Sequence, residues 1–320
     1  YHRNLKSFPT RSSSNLAIRK NIASEVGFII PQIRISDDTT LGANEYQFYL
    51  KRIPIVKGRI EVDKLLAMGG LSSEHLDGIK VKEPVFNLDA VWISKDLKED
   101  ALMKGFTVVD APTIISTHIS EINRKYAEEI ITRQEVVDIV ERLKKDFPNV
   151  VEEAMKVASY GSLLKVCKDL LHEKIPIIDM LTIIEAIADI AEFTKAPEIL
   201  LEHVRAKLFR LITQKYKDTD GVLHIVTIKP ELEQQFIGKL QDHHGASQLM
   251  LSIAEINNLV TKTKQLLDDI EKKGFSKVAM VVDPVLRKRV SEIYEKFGLS
   301  IPVLSHAELD SKANFAIEGT

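Results

Sequence analysis

Apolar and polar positions repeat with two different periods along this chain, and the switches between them divide it. Residues 1–14 carry no period, and Pro9 with the serines Ser12 to Ser14 reads as a flexible leading linker. From Asn15, Leu16, Ile18, Ile22 and Val26 predict a short helix ending near Gly27. FIIPQIRIS and YQFYLKRIPIVKGRI then show the alternation of strands, and the turn-rich SDDTTLGANE between them predicts a hairpin or a pair of sheet neighbours. Between Gly58 and Pro84 periodicity nearly vanishes, which marks a small insertion. In VFNLDAVWI, Phe86, Leu88, Ala90 and Trp92 fall on one side and Asn87 and Asp89 on the other, the pattern of a half-buried strand.

A strand at GFTVVD leads into a helix capped by Asp110, with Pro112 in its first turn. Ile115, Ile119, Ile122, Tyr126 and Ile130 form its apolar stripe, and Ile114, Thr117 and His118 fall beside it. Helical spacing then persists for about eighty residues. It begins at the capping-box pair Thr132 and Glu135, with Val136, Val140 and Leu143 behind and Pro148 as a stop. Leu163, Cys167 and Leu170 mark a second helix, IDMLTIIEAIADIAEF a third that is apolar nearly all round, and Leu201, Val204, Leu208 and Leu211 a fourth. A four-helix bundle is the simplest arrangement. After Asp218 to Gly221, strands and helices alternate through VLHIVTI, KVAMVVD, PVLRKRVSEIYEKFG, IPVLS and NFAIEG, which predicts a layered α/β domain. Asp283 with Pro284 opens one of its helices, and Ser305 with Glu308 has capping-box spacing.

Composition narrows the function classes. At 320 residues, 44% hydrophobic and 28% charged, the chain reads as an ordinary globular protein with more than one core. A net charge of −2 argues against nucleic acid as a partner. The single cysteine, Cys167, allows no internal disulfide or thiolate zinc cluster and points to a reducing, cytoplasmic compartment. The richest apolar stretch, IIDMLTIIEAIADIA, is interrupted by Asp179, Glu185 and Asp189, so no membrane span is expected, and YHRNLKSFPTRSSSN lacks the apolar core of a secretory signal.

Chemical motifs are sparse. Neither a phosphate-binding GxxxxGK[ST] string nor a GxGxxG fingerprint occurs. His243 and His244 are adjacent without further ligand spacing, and no HExxH accompanies them. Ser116 and His118 stand two apart on a helix and face away from each other, and Cys167 lies on an apolar stripe as a core residue. Phe86 has two readings: it fills the core beneath its strand with Trp92, or, close to the Pro84 kink, it lines an apolar pocket used by a partner. A ligand-binding or enzymatic crevice near Asp283 and Ser305 is the alternative from a different class.

The ordered set NLDAVWI, GFTVVDAPTIISTHISEI, TRQE, LLKVCKDLLHEKIPIIDMLTIIEAIAD and VRAKLFRLIT resembles the cytoplasmic domain of the FHIPEP family, the large export-gate components of type III secretion. The VVDAPTIISTHI wording is similar to flagellar members; the RQE helix and the bundle are shared with virulence injectisomes, the alternative setting. The resemblance implies a mixed α/β and α fold of several subdomains after the linker at 1–14. A discontinuous small α/β domain (15–61 and 107–131) is interrupted by an inserted α+β subdomain (62–106). A central helical bundle (132–213) and a C-terminal three-layer α/β domain (214–320) follow. It further implies a docking platform rather than an enzyme, without cofactor or metal, on the cytoplasmic side of the inner membrane. Expected partners are flagellar export chaperones with bound cargo, other export-gate and export ATPase components, and further copies of the chain in a ring. Family members dock chaperones in an apolar dimple, whose matching positions here are Glu83, Phe86, Leu88, Val109, Ile114 and Thr117. Three features depart from the family pattern. Glu83 stands where aspartate is frequent, Ile178 precedes Asp179 where a basic residue is common, and residues 1–14 do not read like the family's first strand.

Overall fold

A computed structural model describes residues 13–70, 75–243, 246–275 and 277–320, and its contacts divide the chain into two compact units, Tyr1–Ile130 and Ile131–Thr320. His244 of the predicted histidine pair lies outside the described residues.

In the first unit, helix α1 (Ser13–Val26) starts two residues ahead of the predicted Asn15. The expected strand FIIPQIRIS does not form. Phe28 and Ile30 are buried and Ile29 and Ile35 exposed, so the alternation is real, yet the segment joins no ladder. Pro31 has no N–H to offer a neighbour, and the Ile30 carbonyl accepts from Arg19 Nε at 2.9 Å instead. The hairpin lies wholly inside the second run, as β1 (Glu45–Leu50) against β2 (Ile53–Arg59). Its two-residue turn holds Lys51 and Arg52 at φ 49° and 70°. Left-handed turns of this kind normally announce themselves with Asn-Gly, and this one carries two cations.

The predicted insertion hides two strands. Strands β3 (Leu65–Met68), β4 (Ile79–Lys82), β5 (Asp89–Ile93) and β6 (Thr107–Asp110) form one antiparallel sheet in the order β4-β5-β3-β6. Its ladder rows run across all four, as in Ile79, Trp92, Leu66 and Val109. Because β6 pairs with β3, a single sheet joins the inserted segment to the chain that resumes after it. One face packs Leu66, Ala90 and Trp92 against Ile60, Ala111 and Ile114. The other packs Ala67 and Ile93 against Leu76 and against Ala101 of helix α2 (Lys98–Met103). A Cβ at Gly70 would sit 2.2 Å from the Phe106 ring, so that glycine admits the aromatic.

Helix α3 (Ala111–Lys125) begins as expected, with Asp110 accepting from the Thr113 N–H at 2.9 Å. Its buried face differs from the predicted stripe: Ala111, Ile114 and His118 face inward, and Ile115, Ile119 and Ile122 are half-buried. The short helix α4 (Ala127–Ile130) closes the unit.

The second unit opens with helices α5 (Arg133–Asp146), α6 (Pro148–Val157), α7 (Tyr160–His172), α8 (Met180–Ala191), α9 (Pro197–Lys207) and α10 (Phe209–Tyr216). The Thr132 and Glu135 capping box forms, and Cys167 is buried, its thiol pushed up to about 12 by burial. The bundle exceeds the expected four helices for local reasons. Pro148, read as a stop, occupies the first turn of α6, where its missing N–H costs nothing. The last predicted helix divides at Leu208 into α9 and α10.

Strands β7 (Val222–Thr227), β10 (Ala279–Val282), β11 (Val303–Ser305) and β12 (Asn314–Gly319) build a parallel sheet in the order β11-β10-β7-β12. The inner strand β10 is buried on both faces, which is why it reads as an unbroken apolar run, while the edge strand β12 exposes Phe315 and Ile317. Val226, Met280 and Val282 share a core with Val260 of helix α12 (Ile253–Lys272) and Val290 and Tyr294 of helix α13 (Pro284–Lys296). Helix α11 (Pro230–Ile237) and the hairpin of β8 (Leu240–His243) and β9 (Ala246–Leu249) were not legible in the sequence. Ser305 and Glu308 form no capping box. The Ser305 hydroxyl instead donates to Glu308 at 3.1 Å.

Glu308 belongs to a buried charge network that ties the bundle to this sheet. Arg205 of α9 grips it with both arms, at 2.9 Å through Nε and 2.6 Å through Nη2, and also donates to Glu173. Arg287 of α13 donates to both oxygens of Glu173 at 3.0 Å and to Glu202 at 2.8 Å. Burial alone would raise the Glu173 carboxyl, but the two guanidiniums overrule it and hold Glu173 below the ordinary carboxylate range.

A second ionic contact clasps the terminal strand. His224 on β7 meets Glu318 of β12 through Nδ1 at 2.7 Å and Asp218 through Nε2 at 3.0 Å, with Phe275 against its ring. Both ring nitrogens face carboxylate oxygens, so the protonated ring can donate to both at once. Burial opposes that charge, and the two hydrogen-bonded carboxylates outweigh burial and raise the His224 pKa. A histidine raised on folding lends stability that is complete below its unfolded pKa and disappears as pH rises through its folded one. Wild type is therefore expected to lose more urea stability than His224→Gln as pH is raised from about 6 through the folded value. Parallel pH profiles for the two proteins would refute the clasp.

Candidate functional site

The predicted site residues lie on the β4–β5 connection, on β6 and on α3 of the first unit. The segment Glu83 to Leu88 connects β4 to β5 and is a single closed turn, not the start of a strand. The Asn87 N–H donates to the Glu83 carbonyl at 3.0 Å, and the Glu83 N–H donates to the Leu88 carbonyl at 2.8 Å. Pro84 presets the first turn position, and Asn87 closes it at φ 59°, a left-handed conformation that asparagine tolerates better than most residues. The Glu83 carboxylate bends back over the turn, accepting from the Val85 N–H and, at 2.7 Å, from the Phe86 N–H.

This turn removes the reading in which Phe86 fills the core beneath its strand. The sheet begins only at Asp89, so the alternation through Phe86 and Leu88 is not strand alternation. Phe86 is 56% exposed and Leu88 55%. A lone exposed apolar side chain is ordinary, but two on one hydrogen-bonded turn form a small displayed patch. Lys82 and Asp89 flank it as an exposed ion pair at 2.8 Å.

The other predicted residues divide by depth. Glu83 and Ile114, expected on the rim and wall of an open pocket, are 2% and 3% exposed and so lie inside. Ile114 packs with Trp92 and Leu66, and Val85 and Val109 join the same cluster. Val109 is half-buried on β6 beside Leu66. Thr117 stands half-buried one turn beyond Ile114, its hydroxyl donating to the Thr113 carbonyl at 2.9 Å.

Two further residues complete the setting: His118, which the sequence places beside the α3 stripe without a partner, and Tyr46, which it does not single out. Tyr46 of β1 and His118 of α3 share a hydrogen bond of 2.7 Å between the phenol oxygen and Nδ1, and Phe48 lies edge-on to the imidazole. Burial lowers the His118 pKa, with the nearby Glu83 charge opposing it. Burial also raises the Tyr46 phenol, with Glu83 adding to the shift. The signal for His118 was its place at i+4 from Ile114; nothing local marked Tyr46 as its partner.

Nothing here has the geometry of a catalytic dyad. The Ser116 hydroxyl donates to the Pro112 carbonyl at 2.9 Å, and His118 is committed to Tyr46. Among the described residues, no group of three or more His, Cys, Asp or Glu could hold a metal ion. No described helix is long and apolar enough to cross a membrane. In the crevice of the alternative reading, Asp283 is occupied as the cap of α13 and Ser305 is buried against Glu308.

Comparison with known proteins places these features in a family context. Residues 13–314 match the FHIPEP family. The flagellar biosynthesis protein FlhA of Helicobacter pylori is 43% identical over 305 residues, 95% of this chain and 42% of the relative. That of Bacillus subtilis is 33% identical over 92% of this chain and 44% of its own length. The chain thus spans less than half of these relatives. Among solved structures, the Chlamydia pneumoniae CdsV protein superposes with a TM-score of 0.84 at 23% identity, covering 98% of this chain and 94% of its own. The nonameric EPEC SctV-C gives a TM-score of 0.78 at 20% identity, with 98% and 95% covered. CdsV in its complex with CdsO gives 0.82 at 23% identity, with 97% and 90% covered.

Proposed function

This chain belongs to the FHIPEP family, and from that membership we propose that it is the cytoplasmic docking platform of a flagellar type III export gate. Its role is to receive export chaperones with bound cargo and to order their delivery. The full-length protein is anchored in the inner membrane, and this part works on its cytoplasmic side as a ring of copies beside the export ATPase components. The match to flagellar relatives at 43% identity favours the flagellum over the injectisome, whose structures resemble this chain below 25%. No catalytic residue is assigned. The division into 15–61 with 107–131, 62–106, 132–213 and 214–320 belongs to the same proposal, and the pairing of β3 with β6 joins the inserted segment to the chain that resumes at 107.

The observation that carries the reading is the displayed pair, Phe86 and Leu88, on a turn fixed by its own hydrogen bonds. A rigid exposed aromatic loses little entropy on binding, and burying one in a partner contributes about 2 kcal/mol. The amphipathic helix of a chaperone offers the complementary apolar face. Glu83 holds the turn through the turn's own amides, Val85 packs it onto the cluster of Ile114 and Val109, and Thr117 on α3 is assigned to the same docking site.

A photoreactive phenylalanine analogue at position 86 tests the contact. With a purified, cargo-loaded flagellar export chaperone, the expected result is a chaperone adduct from position 86 and none from Met103, which is 81% exposed on α2. Adducts of equal yield from both positions, or none from position 86, would overturn the assignment.

A further inference from the structure

We propose that Glu83 is a positioning residue for Phe86 and not a charged contact for the partner. The proposal rests on the docking reading above and deepens it by assigning the acid of the site an inward task. A rim carboxylate that meets a partner's cation must be reachable, and Glu83 is 2% exposed. Its two oxygens are already committed: Oε1 accepts from the Val85 N–H and Oε2 from the Phe86 N–H at 2.7 Å. These N–H groups are the orphan donors at the start of a helical turn, and a charged acceptor satisfies them more strongly than water or a neutral group.

The turn has the grammar of a capped helix start compressed into six residues. Glu83 takes the cap position, Pro84 follows it, and Asn87 ends the turn in the left-handed region. Val85 points into the cluster of Ile114 and Val109, so the turn is anchored at its second residue and displays its third. Removing the carboxylate frees the Val85 and Phe86 amides together, and Phe86 is then no longer held out in one orientation. The partner's affinity depends on that pre-ordering, because an aromatic ordered only on binding gives back part of what its burial contributes.

A consequence follows for the partner's chemistry. With the acid turned inward, the surface offered by this turn is Phe86, Leu88 and the mutually neutralised pair Lys82 and Asp89. The matching surface is apolar, and a conserved cation opposite Glu83 is not required. Aspartate at position 83 keeps the charge and both oxygens, and as a favoured cap residue it can accept from the N–H groups two and three residues on.

The test combines a readout needing no partner with one that does. Amide hydrogen exchange at Val85 and Phe86 is compared in wild type, Glu83→Ala, Glu83→Gln and Glu83→Asp, with Trp92 fluorescence and thermal midpoint reporting the surrounding core. The chaperone–cargo affinity of each is then measured at low and high salt. The expected result is exchange faster by about tenfold in Glu83→Ala, an intermediate effect in Glu83→Gln, which keeps one acceptor, and wild-type behaviour in Glu83→Asp. Affinity should fall in the same order and by the same factor at both salt concentrations. Unchanged exchange overturns the proposal, as does an affinity loss confined to low salt, which would identify a direct charge contact. Faster exchange with unchanged affinity also overturns it. Failure of the docking reading itself is recognised separately, because wild type would then bind no loaded chaperone.

Discussion

Replacing Arg205 by Met is expected to lower the stability of the second unit by about 3–5 kcal/mol. Arg205 is 1% exposed and Glu308 is fully buried, and the two are joined by paired hydrogen bonds at 2.9 and 2.6 Å. Without the guanidinium, Glu308 keeps the Ser305 hydroxyl at 3.1 Å and the more distant Arg287 at 3.7 Å, which is insufficient to hold an ionised carboxylate out of water. Glu173 loses one of its two arginines in the same step. The double variant Arg205→Met, Glu308→Gln should recover part of the loss, because it removes the stranded charge along with its partner. Urea denaturation followed by far-UV circular dichroism measures both. A cost below about 1 kcal/mol for the single variant would show that the network is dispensable and that the bundle and the parallel sheet are held together by apolar packing.

The second large effect separates residues that the family resemblance places in one site. Ile114→Ala should cost about 2–5 kcal/mol of stability, since Ile114 is 3% exposed and wedged among Leu66, Ala90 and Trp92. Phe86→Ala should cost less than about 0.5 kcal/mol, because a side chain 56% exposed on a turn leaves no cavity behind. Trp92, the chain's one tryptophan, lies in the Ile114 cluster and reports the difference by fluorescence during unfolding. If both variants lost equal stability, Phe86 would be a core residue and the displayed-patch account would fail.

Periodicity served well where a local signal and the packed structure coincide. The capping box at Thr132 and Glu135 and the caps at Asp110 and Asp283 each depend on residues within one turn of each other, and each is present. Strand β3 was invisible because four residues buried toward two different clusters, Leu66 to one and Ala67 to the other, carry no alternation. The β1 and β2 hairpin was displaced because Lys51 and Arg52 occupy positions that usually show glycine or asparagine. At the candidate site, letters at 86, 88, 90 and 92 imitated a strand; the turn that contradicts them depends on where the Glu83 side chain points. The Arg205 and Glu308 pair, 103 residues apart, leaves no local trace at all. Its glutamate even imitated a capping box with Ser305.

The central claim is that this chain works by presenting a preformed apolar patch to a loaded chaperone, and that the patch is separable from the fold. The most direct measurement is a calorimetric titration of purified chaperone–cargo complex into wild type and into the Phe86→Ala, Thr117→Ala double variant, both checked for equal unfolding midpoints. The expected result is an affinity weaker by about thirtyfold or more, equivalent to about 2 kcal/mol, with unchanged stability. Equal affinities for the two proteins would contradict the account.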